Sequence, residues 1–331
     1  MTQTLNVSTA VTTSMTAAVL QEPGHFELVR RPVPDPAPGQ VRVKLEGCGV
    51  CASNLAVWDG KPWFEYPLPA GAPGHEAWGR VDATGDGVAG IRAGDRVAIL
   101  SDAGYAEYDL ADASRVVPLP ASLDDRPFPA EPLGCALNIF ARSRIEAGQT
   151  VAIVGIGFLG ALLTQLASRA GARVLAISRR SFAREVALRS GAAEAIAMDD
   201  HWAIIERVRE LTGGRFCERV IEAVGMQWPL DLASALAAER STLVIAGYHQ
   251  DGPRQVDMQS WNWRGLDVIN AHERDPQVYL RGMRDAVAAV ESGTIDLYPL
   301  ITHTYPLDRL GDALDDTRNR PDGFLKAVIE L

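Results

Sequence analysis

Residues 150–160, TVAIVGIGFLG, carry an unbroken apolar run straight into three glycines at 155, 157 and 160, and from there into the helix-forming stretch FLGALLTQLASRAG. A short apolar run ended by glycine reads as a strand buried on both faces, as strands of parallel sheets are. The alternation then repeats. ARVLAIS reads as a second strand, RSFAREVALRSG as a second helix closing at Gly191, and RVIEAVG and STLVIAG as further strands. Strands joined through helices of ten or more residues need crossover connections, so from about residue 133 to 295 the pattern predicts an α/β region built on a parallel, doubly wound sheet.

Before about residue 125 the texture differs. QVRVKLEG, GRVDATG and DRVAIL are short β-branched segments separated by PDPAPGQ and AGAPG, the pattern of a compact β-rich domain. At 331 residues the chain exceeds the usual single-domain range. After residue 298, LITHTYPLDRLGDALDD and FLKAVIEL fit no further strand–helix unit and are expected to return to the first domain. The opening MTQTLNVSTAVTTSM lacks both a basic region and a continuous apolar core, so it reads as a flexible tail. The expected division is a tail at 1–15, a β-rich domain at 16–127 completed by 299–331, and a dinucleotide-binding domain at 128–298.

The formal net charge of −10 disfavours nucleic acid and anionic membrane surfaces as partners, and no stretch reaches 18 uninterrupted apolar residues. A small-molecule substrate is expected. Four cysteines are too few for a disulfide scaffold in a chain this long, which fits a cytoplasmic protein.

Placed between an apolar strand and a helix, the GxGxxG spacing acquires a physical demand. It makes a tight turn, lets backbone approach a pyrophosphate, and offers the free amides of a helix N-terminus to negative charge. Gly155, Gly157, Phe158, Leu159 and Gly160 are the expected cofactor turn. About 20 residues on, an NAD site carries an acid for the ribose 2′-hydroxyl. Here the second strand ends in Ser178, Arg179 and Arg180. A hydroxyl and two guanidiniums suit a 2′-phosphate dianion that an acid would repel, so NADP(H) is expected. The alternative is a pair of solvated arginines and an enzyme that uses either cofactor.

GCGVCASNL, residues 47–55, places Cys48 and Cys51 three apart. A zinc ribbon needs a second such pair, but the other cysteines stand alone at 135 and 217. A thioredoxin-like redox pair opens a helix, whereas this one follows a strand in the β-rich half. What remains is a distributed site joining Cys51 to residues elsewhere, with His75 and Glu76 of PGHEAWG and Glu131 and Cys135 of PAEPLGCALN as candidates. A catalytic zinc takes three protein ligands of these types and keeps one position open.

In order along the chain, GCGVCASNL, GHEAWGRV, AGDRVAIL, GYAEY, EPLGCALN and VGIGFLG resemble the zinc-dependent medium-chain dehydrogenase/reductase family, which includes alcohol, sorbitol and threonine dehydrogenases. The resemblance runs from about residue 16 to the C-terminus. It implies a GroES-like catalytic domain, a Rossmann domain, and an active site in the cleft between them. By that resemblance Cys51, His75 and Glu131 are the zinc ligands, with Glu131 preferred to Cys135 for its EPL context. Glu76 is an exchangeable or neighbouring ligand and Ser53 starts a proton path. Lys326 lies near the cofactor, where it is expected to hydrogen-bond Asn54, which replaces a common aspartate. The segment between GDRV and GYAEY is too short for the family's structural zinc lobe, so one catalytic zinc and no structural zinc are expected.

The resemblance also implies hydride transfer between NADP(H) and a secondary alcohol or ketone, with polyols, sugars, cyclitols or amino alcohols weakly favoured, and a homodimer or homotetramer. Trp58, Trp63, Phe64 and Tyr66 are candidates for the pocket wall or the core. Trp261, Trp263 and His272 in SWNWRGLDVINAHERD are candidates for the cleft or for a sheet-edge contact. The rival readings are a metal-free enone or quinone reductase and a non-catalytic NADP(H)-binding redox sensor.

Overall fold

A computed structural model describes residues 13–331. A six-stranded sheet, parallel throughout, runs in the order Glu194–Ala197, Arg173–Ser178, Thr150–Val154, Cys217–Glu222, Ala237–Ile245, Asp267–Asn270. By position in the chain this is the 3-2-1-4-5-6 order of a doubly wound nucleotide fold, with its switch point beside Thr150–Val154. Alternate side chains of that strand enter opposite cores. Val151 and Ile153 join one cluster, Ala152 and Val154 the other, and all four are fully buried. A strand buried on both faces has no room for a polar residue, which is why TVAIV reads as a continuous apolar run.

The β-rich half forms a seven-stranded sheet. Its path is His303–Pro306, Ala327–Glu330, Gln40–Val50, Glu76–Thr84, Arg96–Ile99, Val116–Pro118, with Tyr108–Asp112 paired to Gln40–Val50 off the path. The C-terminal strand lies antiparallel on Gln40–Val50 with Ala327 opposite Val50, which sets Lys326 beside Cys51. Antiparallel pairing of Gln40–Val50 with Glu76–Thr84 puts Gly49 opposite Glu76. These two registers bring three distant stretches of sequence to one sheet end.

One apolar core spans both halves. Trp78, Ala98, Val117 and Val328 of the β-rich sheet share a cluster with Leu133 and Ala136 of the helix Ala130–Ser143 and with Ile153 of the parallel sheet. That continuity fixes where the two sheets face each other. The tail expected at 1–15 is shorter than the sequence suggests, because Ser14 and Met15 already belong to the strand Ser14–Glu22, hydrogen-bonded to His25–Pro32. The alternation of Met15, Ala17 and their neighbours against Ala106 and Tyr108 gives the segment a core to join. The rest of the expected tail, residues 1–12, lies outside the described residues. Among the described residues no helix is long and apolar enough to cross a membrane.

Candidate active site

Cys51 directly follows the strand Gln40–Val50, and His75 directly precedes Glu76–Thr84. Because those strands pair antiparallel, the two side chains emerge at one sheet end. Donor atoms of Cys51, His75 and Glu76 all lie within 4.8 Å of one another. The His75 Nδ1 sits 2.9 Å from the carbonyl oxygen of Pro73. A carbonyl only accepts, so Nδ1 carries a proton, which leaves Nε2 as the nitrogen free to give up its own proton and take a metal. Burial pulls the His75 pKa down, but Cys51, Glu131 and Glu76 together hold it well above 6.5.

Glu131 stands in the first turn of Ala130–Ser143, where it accepts a hydrogen bond from the Cys135 thiol at 3.2 Å. It is outside the three-residue group but faces it. Burial raises the Glu131 carboxyl pKa, the nearby His75 counters that, and Glu76 adds repulsion. Burial and the same Glu131 carboxylate push the Cys135 thiol pKa well up, so Cys135 is a neutral donor here. Cys48, the other half of the CxxC, is not bonded to Cys51. It is fully buried in the core of the β-rich half with its thiol on the Gly49 carbonyl.

Glu76 is buried and paired with Lys326, whose Nζ lies 2.7 Å from Oε1 and 3.0 Å from the Val50 carbonyl oxygen. Burial alone would lower the Lys326 pKa, but Glu76, Cys51 and Glu131 raise it, so the ammonium stays charged. The expected Asn54–Lys326 hydrogen bond is not formed. Asn54 Nδ2 donates to the Tyr105 hydroxyl at 2.8 Å, and Lys326 takes the stronger, charged partner across the sheet. Lys326 also lies 5.1 Å over the Phe158 ring, linking the carboxylate cluster to the glycine turn.

Gly49 is what makes room for this pair. A Cβ there would lie 1.8 Å from Glu76 Oε2 and 3.1 Å from its Cβ. Gly49→Ala is therefore expected to force the buried carboxylate off Lys326 and cost about 3 kcal/mol, as breaking a buried pair or overpacking a core does. Urea denaturation measures this, and an unchanged midpoint would show that Glu76 has another place to go.

On the cofactor side, Gly155 has φ of 101° and precedes the helix Phe158–Arg169. A Cβ on Gly160 would lie 2.1 Å from the Gly155 carbonyl oxygen, so the turn closes only with glycine there. At Gly157 no atom lies within 4 Å of a built Cβ. The turn thus presents bare backbone to open space at a helix N-terminus, which fits a pyrophosphate. Leu159 is the second residue of that helix and packs against the larger core. Ser178 ends the neighbouring strand, with Arg179 exposed beyond it and Arg180 half-buried.

A cleft of about 490 Å³ opens beside the cluster, lined by Ser53, His75, Trp63, Phe64, Tyr248 and Gln250 among others. Two of the four loop aromatics therefore reach it. Trp58 is instead core, its Nε1 donating to Asp315 Oδ1 at 2.8 Å, and the Tyr66 hydroxyl donates to the Val57 carbonyl. Trp261 donates to Ser234 Oγ at 2.6 Å and Trp263 is exposed on the helix Met258–Arg264, and neither lines the cleft. His272 reaches it indirectly, stacked on Tyr248 with ring centroids 5.4 Å apart.

Tyr248 and Gln250 were missed by sequence reasoning. The available signal is that GYHQDG follows STLVIA, at the carboxyl end of a parallel strand, where ligands of such sheets bind. A part-buried chain anchored on Glu222 holds their loop in place. His249 Nε2 lies 3.0 Å from Glu222 Oε2, Arg254 Nε donates to His249 Nδ1 at 2.9 Å, and Arg254 Nη2 donates to the Gly225 carbonyl at 2.8 Å.

The family description "Alcohol dehydrogenase GroES-like domain" matches residues 37–121, and "Zinc-binding dehydrogenase" matches residues 159–288. The 2-dehydro-3-deoxy-L-galactonate 5-dehydrogenase of Pseudoalteromonas atlantica is 27% identical over 92% of this chain and 95% of that protein. A solved structure from Sinorhizobium meliloti 1021, assigned as a zinc-binding dehydrogenase and bound to NADP, superposes with a TM-score of 0.84 at 27% identity, covering 96% of this chain and 99% of that one. A mycobacterial quinone oxidoreductase structure gives a TM-score of 0.80 at 26% identity, over 96% and 100%. With both halves matched in sequence and the whole chain matched in fold, the chain belongs to the zinc-dependent medium-chain dehydrogenase/reductase family of alcohol dehydrogenase-like oxidoreductases.

Proposed function

We propose that the protein is an NADP(H)-dependent, zinc-dependent oxidoreductase that interconverts a secondary alcohol of polyol or sugar type and its ketone. The observation that carries this reading is the Cys51–His75–Glu76 cluster, which meets the cleft at His75 and the glycine turn through Lys326 over Phe158. A metal-free enone or quinone reductase would have no use for a thiol, an oriented imidazole and buried carboxylates gathered at one point. A sugar-acid dehydrogenase among the relatives and the mixed lining of the cleft support a hydroxylated substrate. In this reading the first domain begins with the strand Ser14–Glu22, runs to 127 and is completed by 299–331, and the second is 128–298, a division supported by the pairing of Ala327–Glu330 with Gln40–Val50.

Cys51, His75 and Glu131 would hold the zinc, with Glu76 able to exchange onto it from Lys326. Zinc in that position supplies Lewis acidity toward the reacting oxygen, and NADP(H) supplies the hydride acceptor or donor. The chain does the rest. Ser53, on the cleft wall, takes the alcohol proton and passes it toward solvent. Trp63, Phe64 and Tyr248 restrict the substrate's approach and keep water out, and the Gly155–Gly160 turn holds the pyrophosphate so that the nicotinamide faces the cleft.

The deciding measurement is metal content per chain by plasma mass spectrometry, on protein purified without added metal or chelator. Close to one zinc per chain supports the reading. No metal, and none taken up on zinc addition, would discard it in favour of the enone or quinone chemistry.

The raised His75 pKa adds a pH signature. In the metal-free protein, protonated His75 contributes stability that is full below pH 6.5 and is lost as the pH rises through the raised folded value. Metal binding must displace that proton. Zinc binding also displaces the Cys51 thiol proton, so affinity is expected to rise at least about tenfold per pH unit below the raised value and less steeply above it, where His75 has no proton left to give up. Chelator competition from pH 6 upward reads the slope, and a flat profile would remove His75 from the ligand set.

A further inference from the structure

Arg179 and Arg180 leave the parallel sheet at its carboxyl end, just beyond Ser178. Arg184 donates from Nη1 to the carbonyl oxygens of Ser178 and Arg179, at 3.1 and 2.8 Å, and so fixes that corner. Facing it is a turn of the C-terminal segment. Arg320 ends the helix Leu310–Asn319 in the left-handed region, at φ 51°, with its N–H on the Asp316 carbonyl at 2.7 Å. Phe324 N–H closes the turn onto the Pro321 carbonyl at 3.0 Å, and Arg180 Nη1 donates to the Phe324 carbonyl. That bond ties the corner of the parallel sheet to the turn that carries Arg320.

The Arg180–Phe324 bond thus sets the turn that begins at Arg320 against the corner that carries Arg179 and Arg180, three arginines from two parts of the fold. Among the described residues none of them has a carboxylate within ion-pair distance. Burial lowers the Arg180 pKa, and Arg320 and Arg179 lower it further, with Asp322 only partly opposing. Arg320, whose side chain keeps contact with solvent, is lowered in the same sense, by partial loss of that solvent first and then by Arg179. An arginine does not shed its proton at ordinary pH, so the repulsion persists until an anion enters.

We propose that Arg320 completes a three-arginine clamp for the 2′-phosphate of NADP(H), reaching it from the C-terminal segment while Arg179 and Arg180 reach it from the nucleotide-binding sheet. The inference rests on the NADP(H) reading above and goes beyond it. A 2′-phosphate held from both sides adds a second tie between the C-terminal segment and the cofactor sheet, beside the Arg180–Phe324 bond, and NAD(H) lacks the group to make it.

The test is equilibrium binding by calorimetry, with adenosine 2′,5′-bisphosphate and 5′-AMP as probes and NADPH and NADH beside them. Arg320→Gly is the variant of choice because glycine accepts the positive φ without strain. It is expected to weaken the bisphosphate and NADPH about tenfold to a hundredfold, the effect of losing one charge-assisted contact, and to change 5′-AMP and NADH by less than about twofold. Arg320→Lys should recover part of the loss. If Arg320→Gly binds the bisphosphate like the unaltered protein while Arg179→Ala does not, the site is a two-arginine one and the clamp is overturned. Equal weakening of all four ligands would make Arg320 a structural residue and also overturn it. If the unaltered protein prefers neither the bisphosphate over 5′-AMP nor NADPH over NADH, the NADP(H) reading itself falls, and the clamp with it.

Discussion

Cys51→Ser protein is expected to purify with almost no zinc and to reduce carbonyls about a thousandfold more slowly, while still binding NADPH normally. The magnitude follows from what a Lewis acid contributes, several kcal/mol of transition-state stabilisation, at one tenfold of rate per 1.36 kcal/mol. The selectivity follows from geometry. Cys51 belongs to the end of the strand Gln40–Val50, whereas the pyrophosphate turn belongs to the other sheet, after Thr150–Val154. His75→Ala should behave likewise, since the Pro73 carbonyl fixes its ring for one purpose. Loss of NADPH binding alongside zinc would mean that the substitution damages the fold. Full activity in either variant would end the zinc mechanism.

What the sequence could show was whatever its neighbours alone decide. Gly155, Gly157 and Gly160 are legible because a tight turn, bare backbone and a helix start are all demanded within six residues. The parallel sheet is legible because burial on both faces leaves a strand no polar position. The β-rich half is less so, since its registers are set by partners far along the chain. The N-terminal strand, taken for tail as far as residue 15, gains its structure only through pairing with His25–Pro32 and packing on Tyr108. Cys51 and the His75–Glu76 pair belong to separate motifs until strand pairing sets Gly49 opposite Glu76. Arg320 lies 141 residues after Arg179, in a segment without a motif, and only the return of the chain to the first sheet brings them together. Lys326 lies over Phe158 of the glycine turn, and its partner is Glu76 rather than Asn54. Asn54 is its neighbour by family habit, and Glu76 by charge.

That pair leads to the second large effect, the loss of stability in Lys326→Met. Glu76 and Lys326 stand 250 positions apart in sequence, both buried, with Nζ 2.7 Å from Oε1. Removing the ammonium leaves the buried carboxylate without its hydrogen-bonded ion-pair partner, which costs about 3–5 kcal/mol. Exposed pairs such as Arg309–Asp312 contribute about 1 kcal/mol or less and make the control. Urea denaturation of metal-free protein should show the deficit, and Glu76→Gln combined with Lys326→Met should recover most of it, because the charge and its partner leave together. A Lys326→Met protein as stable as the original would mean that the carboxylate is solvated or protonated in place. Added zinc separates structure from chemistry. If Glu76 can exchange between Lys326 and a metal held by Cys51 and His75, the variant frees it for the metal, so zinc should stabilise Lys326→Met more than the unaltered protein. Equal stabilisation of both would confine Glu76 to its ion pair and leave Glu131 as the carboxylate ligand.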